Sequence, residues 1–491
     1  MGPEMRTLAR AALAALPLAA LAAAWPVWAL SVATPAAASP DAAYDTLAHD
    51  IFKQLIEIDT SDSTGNVTTA AEALAQRFRA AGFPPADLTL LGPNERKKNL
   101  VVRLHGTGTR KPVLLMGHLD VVEARREDWS TDPYKLIEKD GFYYGRGTLD
   151  MKDGDAVMAA ALIRMKQEGY HPSRDIIAAF TADEEGGCCN GVSWLLKNHR
   201  ALVDAEFALN QDDWSVVSEH GVPRIAHFIG AEKLYSDYQL AATGPGGHSS
   251  EPRDVNAIYE LARALTRLDR FQFPFELNSV NRGYFEYMAK EVARGQEADD
   301  MRAILKDPPD AQAIARLSRD PYNVWVTRTT CVATRLAGGH ANNALPLRAE
   351  AVVNCRIFPG HSKEEIRQLL VKALNDPRIA VRYIADDGTI SERATDERAM
   401  APAPLRPEVL KAMTELAEAT WPGVKVIPSM DPAASDAKYT MAAGIPTYTF
   451  GGVAVESGDV RAHGRDERLA VAEFYRWNHF YYRYVTELSG P

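Results

Sequence analysis

The chain has 491 residues, of which 46% are hydrophobic and 24% charged, with a formal charge of −10. That balance excludes a disordered tail protein and a collagen-like repeat, and a pI near 5.7 argues against nucleic acid as a partner, because binding phosphates needs a basic surface. The length predicts two or three domains with room for a sizeable core.

Residues 1–38 open with Arg6 and Arg10, continue as an Ala/Leu-rich apolar run and leave through the small residues Ala36–Ala38. This pattern predicts a signal peptide, and with it a secreted or periplasmic protein. The rival is an uncleaved membrane anchor, because the apolar run approaches the roughly 20 residues that span a bilayer. Pro17, Pro26 and the small-residue exit favour cleavage, so contact with a membrane is expected only if the segment stays.

From Tyr44 onward, LAHDIFKQLIEI carries apolar residues at helical spacing, and a second helix is expected over 68–82, ending before Pro84 and Pro85. Short apolar runs then alternate with helices. NLVVRLHG, PVLLMGHLDVV, DIIAAFTAD and EFALNQDD read as strands, and 152–168 and 191–200 as helices. The rhythm predicts an α/β catalytic domain with a mostly parallel central sheet and helices on both faces. After about residue 232, LYSDYQLAAT, TTCVATRLAG and LRAEAVVNCRIFPG alternate like antiparallel strands, with helices at 254–269 and 362–375. An inserted α+β lid or dimerisation domain is expected there, while the polar, partly aromatic stretch 271–325 stays without an element. From about 405 the first style returns: a helix to Ala419, the strand GIPTYTFGG and a C-terminal helix whose FYRWNHFYYRY reads as packed on the sheet. The expected organisation is a catalytic domain from 39–232 and 361–491, interrupted by 233–360.

Four cysteines are too few for a disulfide scaffold. A bridge between adjacent Cys188 and Cys189 is expected to be too strained to form. Cys331 and Cys355 can pair if their strands are neighbours.

Metal-type residues recur where strands end. His118 and Asp120 in MGHLD lie two apart, so on a strand both side chains point the same way. Asp150 follows a Gly-rich turn at the mouth of a helix, and Glu184 and Glu185 close the next strand. Each has a bland reading: a core histidine with a partner, a helix start with a good N-cap, a solvated acidic turn. Successive strands ending this way point instead to a two-metal hydrolytic site at the carboxyl edge of the sheet. There a carboxylate fixed by metal can sit beside one free to move a proton.

MGHLDVV, GRGTLDMKDG and TADEEGG closely resemble the dizinc exopeptidases and deacylases that include aminoacylase, acetylornithine deacetylase, carnosinase and glutamate carboxypeptidase. The resemblance covers nearly all of 44–485, through GPGGHSSEP, GGHANNALPLRAEAVVNCRIFPG, SDAKYTMAAGIPTYTFGG and AHGRDERL. It implies two zinc ions per subunit (cobalt or manganese also suit), with His118 and Glu185 on the first, His463 on the second and Asp150 bridging. Glu184 would be the general base, and Asp120 the support behind His118. The remaining ligand departs from the family pattern, because ALNQDDW offers Gln211, Asp212 and Asp213. Two divalent cations are neutralised by Asp150, Glu185, a hydroxide and one further carboxylate, whereas an amide is a poorer ligand. Asp212 is therefore preferred, Asp213 comes second, and Gln211 stays open as a feature that weakens the second site.

In the insertion, the resemblance makes His248 an oxyanion-stabilising histidine that reaches into a partner subunit, which implies a homodimer. Asn343 and Arg356 would bind substrate, and the planar fork of an arginine suits a terminal carboxylate. The implied reaction is hydrolysis of an amide bond next to a free carboxylate in a small peptide, of dipeptidase or carboxypeptidase type. An N-acyl-amino-acid deacylase is the alternative on the same site. The alternative of another class is a metal-deficient binding protein, which Gln211 favours and Glu184 opposes. Residues 271–325 could line a hydrophobic pocket for an acyl or bulky group, or form a peripheral excursion.

Overall fold

The alternation of apolar runs and helices builds a ten-stranded sheet in the computed structural model, which describes residues 40–186, 188–385, 387–394 and 399–490. The expected signal peptide, 1–38, lies outside the described residues. The strands run in the order Leu88–Leu91, Asn99–Leu104, Ile176–Thr181, Val113–His118, Phe207–Asn210, Thr447–Thr449, Val222–Glu232, Val216–Glu219 and Ala454–Glu456. Lys425–Asp431 joins alongside Val222–Glu232. Val113–His118 lies between two parallel neighbours and is buried at every position, which is why it reads as a continuous apolar run.

The sheet is mixed, with parallel strands at its centre. Asn99–Leu104 runs antiparallel to Ile176–Thr181, and Val216–Glu219 forms a hairpin with Val222–Glu232. That hairpin and Lys425–Asp431 escape the sequence pattern because Pro223, His227 and Pro428 interrupt their apolar runs. Helices cover both faces. On one, Pro40–Ile56, Val67–Ala80, Lys152–Gln167 and Val471–Ser489 bring Phe52, Leu74, Val157, Phe474 and Trp477 into a single core. On the other, Val192 and Leu195 of Gly191–Asn198 cover Met116, Ile177 and Ala208. Among the described residues no helix is long and apolar enough to cross a membrane.

The insertion holds a separate antiparallel sheet in the order Thr330–Gly338, Arg348–Ile357, Leu234–Thr243, Ile379–Ile384 and Ile390–Ser391. Helices Ala257–Arg270 and Lys363–Leu374 pack on it through Leu261, Ala264, Ile366 and Leu370. The expected boundary at 360 therefore cuts this sheet; the chain remains in it until Ser391. The half-buried alternation of IAVRYI at 379–384 carries that correction. Cys331 and Cys355 face each other in register on neighbouring strands and are bridged.

The unassigned stretch is helical. Ser279–Tyr287, Gly295–Ile304, Ala311–Leu317 and Pro321–Thr327 follow one another, with Asn278, Asp310 and Asp320 accepting hydrogen bonds as N-caps. These helices are short, so none displays the several turns of periodicity that a sequence pattern needs. They share a core around Val280, Phe285, Met301 and Ile304.

Candidate metal centre

Parallel pairing aligns the carboxyl ends of three strands, placing His118 opposite Thr181 and Met116 opposite Asn210. The loops that follow bring His118, Glu184, Glu185 and Asp212 to one place, as expected at the edge of an open α/β sheet. His118 is 2% exposed. Its Nε2 lies 3.3 Å from Asp150 Oδ1 and 3.6 Å from Asp212 Oδ1. His463 approaches from the C-terminal part of the chain, with Nε2 3.1 Å from Asp150 Oδ2 and 2.8 Å from Glu185 Oε1. Asp150 thus shows one oxygen to each imidazole.

Two observations fit this cluster to divalent cations. His118 Nε2 and Asp150 Oδ1 are buried without a hydrogen-bond partner, although buried polar atoms are normally satisfied. The donors are imidazole nitrogens and carboxylate oxygens, which suit zinc, cobalt or manganese. Ligand atoms of His118, Glu184 and Asp212, and likewise of His118, Asp150 and Glu185, lie within 4.8 Å of one another.

The expected grouping of His118, Asp150 and Glu185 is present, with ligand atoms within 4.8 Å of one another, but the shortest contacts run otherwise. Glu185 makes its close contact with His463, and Asp212 faces His118. Which acid meets which histidine depends on how the loops cross above the sheet, and spacing along the chain does not encode that. Among the three candidates in ALNQDDW, Asp212 reaches the cluster. Gln211 alternates to the other side and packs its Cβ over Gly154. Asp213 is turned to the Ser215 hydroxyl.

Asp120 supports the centre in a different way from that expected. His118 Nδ1 lies 3.0 Å from the backbone carbonyl oxygen of Asp120, while the carboxylate stands 3.8 Å away. That carboxylate accepts the backbone N–H groups of Glu184 (3.2 Å) and Glu185 (2.9 Å) instead. Its side chain therefore fixes the acidic turn, and its main chain orients the ring.

The electrostatics follow from packing acids around two imidazoles. Hydrogen bonds to Asp150 and Glu185 push His463 up to about 10. Burial pulls His118 down, but Asp212 and Asp150 outweigh it and hold the ring well above its ordinary value. Burial raises Asp150 in its turn, yet the two imidazoles beside it, His118 and His463, prevail and hold it low. Glu184 is pushed well above the carboxylate range by burial and by Asp212.

Sequence reasoning missed two further carboxylates. Glu467, fully buried, accepts the N–H groups of Leu149 (2.7 Å) and Asp150 (3.1 Å) and pairs with Arg146. It fixes the backbone that aims Asp150. Asp436 accepts from Thr181 Oγ1 (3.1 Å) and Asn190 Nδ2 (2.6 Å), tying the acidic turn to the C-terminal half. Their only sequence signal was an acid set in a polar motif, AHGRDERL or SDAKYTM, with no spacing rule behind it.

The expectation of no Cys188–Cys189 bridge is overturned, because the two are joined. They sit in an irregular turn, without ladder or helical hydrogen bonds to preserve, so the backbone can wrap the small ring.

The insertion's candidates do not meet the cluster within one chain. His248 pairs with Ala344 on a two-residue ribbon, its Nδ1 2.7 Å from Ser250 Oγ, and the N–H of Ser249 donates to the carbonyl of Asn343. Among the described residues no hydrogen bond or ion pair joins His248 or Asn343 to the acids and histidines. Arg356 stacks 4.9 Å over Tyr235 and acts electrostatically on Asp431, which lines a cavity of about 510 Å³ opening on Asp150, Glu184 and Asp212.

Residues 114–487 match the family described as peptidase family M20/M25/M40. A probable carboxypeptidase S-like protein of Dictyostelium discoideum is 28% identical over 76% of this chain and 71% of its own length. An N-fatty-acyl-amino acid synthase/hydrolase of Mus musculus is 26% identical over 89% of this chain and 86% of its own. Among solved structures, an M20 family metallo-carboxypeptidase from Sulfolobus solfataricus superposes with a TM-score of 0.65 at 16% identity, covering 90% of this chain and 99% of that one. The chain belongs to peptidase family M20/M25/M40 and is a hydrolase of the metallopeptidase and amidohydrolase type.

Proposed function

We propose that the chain hydrolyses an amide bond next to a free carboxylate, with two divalent cations, zinc first among them, held by His118, Asp150, Glu185, Asp212 and His463. Asp150 carries this reading, with one oxygen toward each imidazole and Oδ1 and His118 Nε2 left without partners. Asp212 would act beside His118 and Glu185 beside His463, with Asp150 between the two imidazoles. When bound, such ions activate a water and polarise a carbonyl. Glu184 takes the proton of the attacking water and returns it to the leaving amine. Asp120 holds Glu184 in reach through its backbone N–H. Arg356 receives the substrate carboxylate by its planar fork.

His248 and Asn343 join from a second subunit in this reading, where His248 stabilises the oxyanion. The edge strand Thr330–Gly338 supports a dimer, with Val332 59% and Leu336 71% exposed and Ile258 of the neighbouring helix lying over Gly338. Leu336→Asp is expected to convert a dimer to monomers in sedimentation and to lower kcat roughly 100-fold, the scale of one lost oxyanion donor. A monomeric wild-type protein with full activity would remove His248 from the mechanism. A secreted or periplasmic location belongs to the same reading, supported by the Arg6–Ala38 pattern and the two bridges. N-terminal sequencing of the purified protein checks it, with a start after Ala38 expected.

For the substrate, the 510 Å³ cavity favours an N-acyl amino acid over a small dipeptide. Ile229 and Met430 line it from the catalytic sheet, Trp214 from the loop after Phe207–Asn210, and Tyr322 and Trp325 from the helical stretch of the insertion, their rings edge-to-face at 4.5 Å. An apolar acyl chain gains about 0.8 kcal/mol for each methylene buried there. The zinc form is therefore expected to prefer N-dodecanoyl over N-acetyl amino acids and over dipeptides in kcat/KM. Trp325→Ala should reduce the dodecanoyl-to-acetyl ratio about 10- to 100-fold. An unchanged ratio would return the reading to dipeptides.

A further inference from the structure

The turn that carries Glu184 and Glu185 runs directly into Cys188 and Cys189, and its anchors form one connected set. On the near side, Asp120 accepts the N–H groups of Glu184 and Glu185 at 3.2 and 2.9 Å. On the far side, Asp183, in the left-handed region at φ 66°, turns its carboxylate to the N–H of Cys189 and to the Lys97 ammonium. Lys97 also pairs with Asp62 at 2.7 Å and donates to Cys188 Sγ at 3.4 Å. Cys188 is exposed and Cys189 half-buried, so the bridge is open to solvent. Lys97 and Asp183 line a cavity of about 360 Å³ that also reaches Glu185 and His463.

We propose that the Cys188–Cys189 bridge is a redox-modification site, reduced by low-molecular-weight dithiols, whose state sets how firmly the turn holds Glu185 at the metal centre. This rests on the proposed role of Glu185 as a metal ligand. A thiolate of the dithiol attacks the Cys189 sulfur, the S–S bond breaks, and Cys188 leaves as a thiolate beside the Lys97 ammonium. The second thiol of the reagent then attacks the mixed disulfide, its proton passes to the Cys189 sulfur, and the reagent departs as a cyclic disulfide. Two electrons pass from the dithiol to the protein, and no other reactant is needed.

The surroundings favour this course. An ammonium beside the departing sulfur stabilises its thiolate and makes Cys188 the better leaving group. Once formed, that thiolate competes with Asp183 for Lys97. Asp183 is also the acceptor for Cys189, so these two far-side anchors loosen together, leaving Asp120 and the Asn190–Asp436 contact to hold the turn. Coupling is reciprocal: if reduction weakens metal binding, bound metal favours the bridged state to the same extent.

The test labels the full-length zinc protein with iodoacetamide before and after treatment with dithiothreitol, and locates the label by peptide mass spectrometry. The expected result is no label on Cys188 or Cys189 before reduction and label on both after it. Reduced protein should then lose zinc to a chromophoric chelator at least about fivefold more readily, the lower range of typical couplings. The double variant Cys188→Ser, Cys189→Ser should show no dithiothreitol-dependent shift, which separates the effect from chelation by the reagent. Lys97→Gln should slow reduction about tenfold at pH 7. Reactive thiols at both positions before reduction would overturn the proposal, as would an equal zinc shift in wild type and double variant. If Glu185→Ala keeps full zinc, the fault lies in the metal-centre assignment, and the labelling still decides the bridge.

Discussion

Glu184→Gln is expected to lower kcat by three to four orders of magnitude while leaving bound metal unchanged, the upper range of what a positioned general base supplies. The Glu184 backbone is pinned by Asp120, but among the described residues its carboxylate accepts no hydrogen bond, unlike those of Asp120, Asp213 and Glu467. A half-buried carboxylate left free beside imidazoles and other acids is placed to move a proton. Burial and Asp212 push it well above the usual range, so it holds a proton readily; cations in the site would act in the opposite direction. Glutamine keeps the shape and removes the proton acceptor. Single-turnover kinetics with metal analysis on the same sample checks this, and hydrolysis at the wild-type rate would mean that another group takes the proton.

Asp212→Ala is expected to lose about half the bound metal and at least 100-fold in kcat/KM, since one ion loses a carboxylate of its ligand set. Asp213→Ala should retain both ions, because its carboxylate is committed to Ser215. The comparison, by metal analysis after dialysis, turns on the 3.6 Å approach of Asp212 to His118. Loss of metal in Asp213→Ala alone would move the ligand by one residue.

Much of this centre is legible in the sequence because it sits at the ends of short apolar runs. A buried parallel strand needs no alternation, so MGHLD, TADEE and ALNQDD each mark a terminus, and parallel pairing brings termini together. His463 and Asp150 are legible only through their motifs, since neither follows a strand of the central three. The partition of acids between the two histidines is not legible: Glu184 and Glu185 are adjacent in the chain, yet one contacts His463 and the other remains free. Nor is the division of labour within Asp120, whose carbonyl and carboxylate serve different neighbours. The helices of 271–325 were hidden by their length. The boundary at 360 failed because a helix and a half-buried strand serve either domain equally well in sequence.

The grip of Glu467 on the Asp150 loop sets an order of events during synthesis. A chain that has emerged as far as residue 450 already contains His118, Asp150, Glu184, Glu185 and Asp212. It lacks His463, and it lacks the carboxylate that holds the N–H groups of Leu149 and Asp150. Both arrive only with the C-terminal part of the chain, which also supplies the helix Val471–Ser489. A truncation before residue 463 removes both His463 and Glu467 from the cluster at once.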